Sequence, residues 1–335
     1  MTRYVVGRVL GAVPLVLGLA TLVFFVVHVA PGDPADLMGG RGLSPEAAAA
    51  MRANLGLDRP LPVQYVKWLA AFVTGDFGYS YTYQAPVRSV LADLLPNTLV
   101  LGAGALVLSF GFGIALGVVQ AVRQNSATDS VLSFVLLFFY SMPSFWLALM
   151  LVLVFSLLAR NVWDWPIWFP ASGMTSVDHA FLPPWDRFVE RLRYLTLPTL
   201  SLSLVLTAGI ARFMRGSMLE VVHQDYVRTA RAKGLSEVRV VVGHALRNAL
   251  LPIATLAGLY VPMLLSGTVF IERVFAWPGM GQALVQAVLA RDYPMVMAGS
   301  FVFGVMVVFG SLLADVLYAW IDPRVRYARG GTGHG

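Results

Sequence analysis

The chain has 335 residues, 58% hydrophobic and only 13% charged, with a net charge of +6 at pH 7. Soluble domains carry about 25% charged residues, so this composition, with a mean hydropathy of +0.72, excludes a water-soluble globular protein. The lack of a Gly-X-Y or heptad period excludes collagen and coiled coil, and the absence of cysteine excludes disulfides, thiolate nucleophiles and zinc–thiolate sites.

What remains is an integral membrane protein. A helix needs about 20 mostly apolar residues to cross a bilayer, because its backbone groups must be satisfied within the segment. The first such run is 9–30, whose only ionisable residue is His28. It is longer than the apolar core of a signal peptide, no A-x-A-type site ends it and further spans follow, so it is expected to stay as an anchor. Residues 31–98 are too short and dispersed for an independent enzyme domain. Within them Ser44-Pro45-Glu46 opens a short helix through Leu55 that Gly56 closes. A second short helix is expected over 64–72, and the aromatic run 77–83 is expected at the membrane interface.

Spans two and three are 99–122 and 131–159, both without charge; the latter is longer than a membrane requires, so tilt or a projecting end is expected, with Pro143 placed to kink it. The following loop holds Trp163, Trp165, Trp168 and Trp185, which suit an interfacial belt or substrate contact. Span four, 195–211, is short and expected to gain a turn at each end. Span five is 249–271, and span six, 296–321, is interrupted only by Asp315. Segments 1–8, 123–130, 212–247 and 322–335 carry 13 Lys/Arg against 5 Asp/Glu, whereas 31–98, 160–194 and 272–295 carry 11 against 12 over nearly twice the length. The positive-inside rule then places both termini in the cytoplasm. The surplus positive charge is topological, and no nucleic-acid partner is required to explain it.

The polar segment 212–247 is the most informative. Asp225 can cap a helix of two turns, Gly234 suits the left-handed residue that ends one, and Ser236 can cap the next. Arg228 and Arg231 share a face at i, i+3, and Ala230 and Ala232 keep the profile thin. A stiff basic elbow of this kind fits a docking element; a plain topology anchor needs the charge but no spacing. Catalysis finds no support: the two lysines, Lys67 and Lys233, are followed by Trp68 and Gly234, so neither belongs to a P-loop, and H-E-x-x-H and G-x-S-x-G patterns are missing. Five scattered histidines suggest no metal site. Asp315 fits hydrogen bonding between helices or to Arg324 as well as a transport role.

Residues 225–252 read as YxRTARAKGL followed by HALRNAxLP. Further motifs follow in chain order: Pro31-Gly32-Asp33-Pro34, Leu95-Pro96-Asn97-Thr98-Leu99, Ser141-Met142-Pro143-Ser144-Phe145-Trp146, 272–281 (ERVFAWPGMG), Arg291-Asp292-Tyr293-Pro294 and Asp322-Pro323-Arg324-Val325-Arg326. In these the chain resembles the inner-membrane permease subunits of ATP-binding-cassette importers, in the dipeptide/oligopeptide class. It has Arg228-Thr229-Ala230 where the family's general EAA loop begins Glu-Ala-Ala, and His244-Ala245-Leu246-Arg247 where that loop ends I-x-L-P; both are usual for the peptide-type subclass.

The resemblance implies an all-α polytopic fold of six transmembrane helices, as in type I importer permeases, in the cell's inner membrane. It divides the chain into 1–30 (N-terminus and first span), 31–98 (outer loop), 99–321 (core, with coupling loop 212–247 and outer gate loop 272–295) and a 322–335 tail. Tyr226, Arg228, Thr229, Ala230, Arg231 and Gly234 would couple to a cytoplasmic ATPase. Glu272, Arg273, Trp277, Pro278, Gly279 and Gly281 would form an outer gate or binding-protein contact, or simply a capped loop. The implied partners are a second, paralogous permease subunit in a heterodimer, two P-loop ATPases that bind ATP and Mg, and an external substrate-binding protein delivering a peptide. This chain would bind no cofactor itself. The alternatives are an ion-gradient-driven secondary transporter, which scarce intramembrane charge disfavours, and a membrane enzyme, for which no acid–base or metal constellation is found.

Overall fold

A chain this apolar can satisfy its backbone in a bilayer by closing hydrogen bonds within each segment, and the computed structural model is built accordingly from helices. It describes residues 2–29, 46, 49, 53 and 58–321, without the side chains of 2–6, 8, 9, 261–267 and 313–321. The helices are α1 (Thr2–Val29), α2 (Leu61–Val73), α3 (Val87–Val122), α4 (Ala127–Tyr140), α5 (Ser144–Val152), α6 (Pro184–Val222), α7 (Asp225–Ala232), α8 (Glu237–Val240), α9 (Leu246–Val274), α10 (Met280–Leu289) and α11 (Tyr293–Ile321). A π-type stretch, Leu153–Leu158, extends α5, and another, Val241–Ala245, joins α8 to α9. Between α2 and α3 lies an antiparallel hairpin of two-residue strands, β1 (Tyr79–Ser80) and β2 (Ala85–Pro86). Six helical stretches are long and apolar enough to cross a membrane: Leu10–His28, Val87–Val122, Ser144–Asn161, Pro184–Val222, Glu237–Tyr260 and Tyr293–Leu312.

Two spans differ from expectation. Residues 131–159 are not one kinked helix: α4 ends at Tyr140 and α5 restarts at Ser144. Pro143 has no N–H and takes an extended conformation (φ −60°, ψ 133°) as the cap of α5, so the chain breaks there instead of bending. The fourth span is far longer than 195–211, because Pro184 and Asp186 start α6 eleven residues earlier. The Arg187 guanidinium then donates to Ala180 and Leu182 carbonyls ahead of the helix. The helix expected over 64–72 corresponds to α2. Of 44–55 only Glu46, Ala49 and Ala53 are described, each helical; the motifs 31–34 and 322–326 lie outside the described residues.

The chain divides into two units: Met1–Val5, Leu99–Trp277 and Phe309–Gly335 form one, Val6–Thr98 and Pro278–Val308 the other. In the first, α6 lies against a stripe of α3 that has no side chains. A Cβ on Gly113 would lie 2.7 Å from Ile210, and one on Gly117 would lie 2.6 Å from the Ala211 carbonyl oxygen. Small residues one turn apart let helix backbones approach this closely in a membrane, where van der Waals contact drives association. In the second unit Phe72, Val87, Val90 and Leu91 pack with Met280, Ala283, Ala287 and Met295. A separate cluster there sets Phe24 and Val27 of α1 against Met297.

Candidate functional site

The elbow between the fourth and fifth spans is built from its root outward. Gln224 caps α7, its carbonyl accepting from the Val227 and Arg228 N–H groups at 3.0 and 3.2 Å, so Asp225, the expected cap, is instead the first helical residue. Its negative charge suits the positive end of the helix. Val227 and Ala230, three residues apart, face one way and sink into a core with Met214, Met218, Val240 and Ala245. Ala230 therefore anchors the elbow from within and is not part of its outer surface. Tyr226, Arg228, Thr229 and Arg231 face outward. The Tyr226 hydroxyl accepts from Asn248 Nδ2 at 2.7 Å, which ties the elbow to α9.

The turn after α7 is held from both sides. Lys233 N–H donates to Thr229 O at 3.0 Å and Gly234 N–H to Arg231 O at 2.9 Å, with Gly234 at φ +76°. No atom lies within 4 Å of a Cβ built on Gly234, so the demand for glycine is conformational and not steric. Across the turn Arg231 grips Glu237 with two hydrogen bonds, Nη2–Oε1 at 2.7 Å and Nε–Oε2 at 3.1 Å. The Glu237 carboxylate pushes the Arg231 guanidinium above its ordinary range, against the opposing effect of burial. Arg228 and Arg231 thus serve differently, since Arg228 lies 3.6 Å from Asp225 and its side chain is 68% exposed. Ser236 caps α8 without a side-chain hydrogen bond.

Beneath the elbow lies an ion pair that the motifs did not announce. Asp129, in the first turn of α4, receives Arg215 of α6 on both oxygens, Nε–Oδ1 at 3.0 Å and Nη2–Oδ2 at 2.8 Å. It also accepts from the Asn125 N–H at 3.1 Å. Its side chain is 7% exposed. The only sequence signal was an acidic residue three positions after Ser126, whose hydroxyl caps the Asp129 N–H.

The residues expected at the gate are divided. Glu272 and Trp277 are fully buried, Trp277 among Leu101, Leu197 and Ile271, while Arg273 is exposed. Helix α9 ends there with Trp277 N–H on Glu272 O at 2.8 Å and Ala276 N–H on Arg273 O at 3.3 Å, Ala276 taking φ +45°; this is the Schellman arrangement, with alanine in the place glycine usually fills. Pro278, Gly279 and Gly281 belong to the other unit, where Asn97 Nδ2 donates to Pro278 O at 2.8 Å. There too the Thr98 hydroxyl accepts from Met280 N–H at 2.8 Å. Two motifs about 180 residues apart are thereby clasped together, with Thr98 capping α10.

A second clasp in the same unit uses Asp292. Its Oδ2 accepts from Ser80 Oγ at 2.5 Å and Thr82 N–H at 2.9 Å, and its Oδ1 from Met295 N–H at 3.2 Å. The aromatic run 77–83 is therefore pinned by this carboxylate. Burial, with the Asp292 charge adding to it, pushes the Tyr81 phenol up to about 12. Asp292→Ala is expected to lower stability by about 2–3 kcal/mol, since it strands three donors; a melting temperature equal to the parent in a detergent thermal melt would refute the clasp. Of the remaining candidates, His28 Nδ1 lies 2.8 Å from Phe24 O. Asp315 falls on α11, its side chain outside the described residues. Trp163 and Trp165 are half-exposed and packed on each other, and Trp168 lies under Arg160 and Arg193.

Comparison with known proteins defines the class. Residues 113–327 match the family described as the binding-protein-dependent transport system inner membrane component, and residues 1–102 match that system's N-terminal membrane component. The chain belongs to this family: it is a multi-span permease of the inner membrane, and an ion-gradient-driven carrier is not favoured. It is 39% identical over 328 residues to the oligopeptide transport system permease protein AppB of Bacillus subtilis, covering 98% of this chain and all of that one. It is 37% identical over 339 residues to the dipeptide transport system permease protein DppB of Escherichia coli, with the same coverage. A crystal structure of an amino acid ABC transporter with histidines aligns over 69% of this chain and 94% of that one, at 16% identity and a TM-score of 0.45.

Proposed function

We propose that this chain is one of two permease subunits of an ATP-driven importer and forms half of a path for dipeptides or oligopeptides. Two separate P-loop ATPases bind ATP and Mg and dock on the elbow, an external binding protein delivers the peptide, and both termini face the cytoplasm. The second permease subunit is a paralogue. This chain supplies path and lever and holds no cofactor.

The observation that carries the reading is the elbow's construction. Its root, Val227 and Ala230, is locked in the core; its turn is fixed by Gly234 and the Arg231–Glu237 clamp; its rim presents Tyr226 and Arg228 outward. A lever needs this division between an immobile root and an exposed end. The names of the relatives AppB and DppB supply the peptide class.

Gly234→Val should test the lever in membrane vesicles carrying the whole importer. A β-branched residue at φ +76° strains the turn by about 1–2 kcal/mol or more, so uptake of a radiolabelled dipeptide should drop about tenfold while membrane insertion is unchanged. Gly234→Asn, which tolerates the left-handed region, should retain most uptake. Normal transport by the valine variant would remove the lever, and failure of the ATPases to co-purify with the parent chain would remove the importer.

A further inference from the structure

In the unit that carries the elbow, α3, α4 and α6 line a half-open cavity of about 320 Å³. Pockets for small molecules begin at about this size. One wall is apolar, formed by Leu136, Leu137 and Ala208. The polar lining is unevenly paired. Arg215 is committed through Nε and Nη2 to Asp129. Arg212 lies over the Tyr140 ring, 5.5 Å from its centroid, and has no carboxylate partner among the described residues. Gln120 is 2% exposed and donates to Ser133 Oγ at 2.8 Å, while its own Oε1 is buried with no partner among the described residues.

We propose that this cavity binds the carboxyl-terminal end of the transported peptide. The carboxylate pairs with the Arg212 guanidinium, and the terminal side chain lies on the leucine wall. One guanidinium without a carboxylate partner beside an apolar wall matches one carboxylate on an apolar stem. A lipid phosphate fits less well. It would draw on several donors, Asp129 already engages two of the three Arg215 nitrogens, and the Asp129 charge lies beside it. A cation would meet two guanidinium groups compensated by a single carboxylate. The assignment rests on the reading of the chain as a peptide permease.

The test uses the complete importer membrane complex in nanodiscs, without the binding protein, so that selectivity arises in the membrane domain alone. The probes are trialanine and trialanine amide. The parent should bind the free acid about tenfold more tightly than the amide, as expected for loss of a charged hydrogen-bonded pair. Arg212→Gln should bring that ratio to about one, and Arg212→Lys should restore part of it; Arg212 is exposed, so neither change threatens the fold. Equal affinities in the parent, or an unchanged ratio in Arg212→Gln, would overturn the proposal. So would equal affinities together with loss of a bound anionic lipid from Arg212→Gln in native mass spectrometry, which would assign the cavity to a headgroup. Uptake of trialanine by the fully reconstituted parent separates the two levels. If it is absent, the peptide-permease reading fails; if it is present and the ratio does not respond to Arg212, only the cavity assignment fails.

Discussion

Gly117→Val is expected to separate α3 from α6 and to cost the protein about 3 kcal/mol or more, at or beyond the upper end of overpacking penalties. Even the Cβ alone would sit 2.6 Å from the Ala211 carbonyl oxygen, 2.6 Å from Met214 Cβ and 3.0 Å from Arg215 N. Two of those atoms are backbone, which cannot rotate away as a side chain would. The consequence extends beyond packing, because Met214 belongs to the core beneath the elbow and Arg215 to the ion pair with Asp129. Gly102→Val is the matched control: the same helix, the same exchange, and nothing within 4 Å of the new Cβ. Thermal unfolding in detergent should show Gly102→Val near the parent and Gly117→Val unfolding far earlier, with little protein recovered from the membrane. Equal melting of the two variants would show that α3 and α6 do not make this contact.

Asp129→Ala is also expected to destabilise the protein strongly. Breaking a buried pair by removing one partner costs about 3–5 kcal/mol, and because the Arg215 side chain is 30% exposed, about 2–3 kcal/mol is the better figure here. Asp129→Leu with Arg215→Leu should be less harmful than Asp129→Ala alone, because no stranded charge is left in the apolar surroundings. A double-mutant cycle on thermal unfolding measures the coupling directly; a coupling energy indistinguishable from zero would show that the pair is a contact without energetic consequence. Asp129 joins the first turn of α4 to the part of α6 that leads into the elbow, so the single variant should also reduce uptake in vesicles.

Much of the candidate site was legible before any coordinates. Gly234, Ser236 and the Arg228/Arg231 spacing are local signals, and local signals survive into the structure because turn conformation is decided within a few residues. Other features were illegible for the opposite reason. Ala230 and Arg228 look equally available in a short basic segment, yet one is core and the other rim, because burial depends on where α6 and α9 pass. Trp277 and Glu272 stood in an exposed-looking loop motif and are fully buried. Thr98 and Met280, or Ser80 and Asp292, are each separated by roughly two hundred residues, and no periodicity in either segment could have announced their hydrogen bonds.

By itself the sequence determined that this protein lives in a membrane and how many times its helices can cross it, since apolar length and the need to satisfy the backbone leave few solutions. It also determined the elbow and its glycine, and motif by motif the family to which the chain belongs. Only the tertiary structure decided that 131–159 breaks at Pro143 instead of bending, that α6 extends eleven residues before its apolar run, and which face of α7 is root and which is rim. Only it brought Asp129 to Arg215 and left Arg212 over Tyr140 without a carboxylate partner among the described residues. The physical reason is range: hydropathy and turn chemistry act along the chain, whereas burial and charge pairing are settled by whichever distant segment packs against a residue.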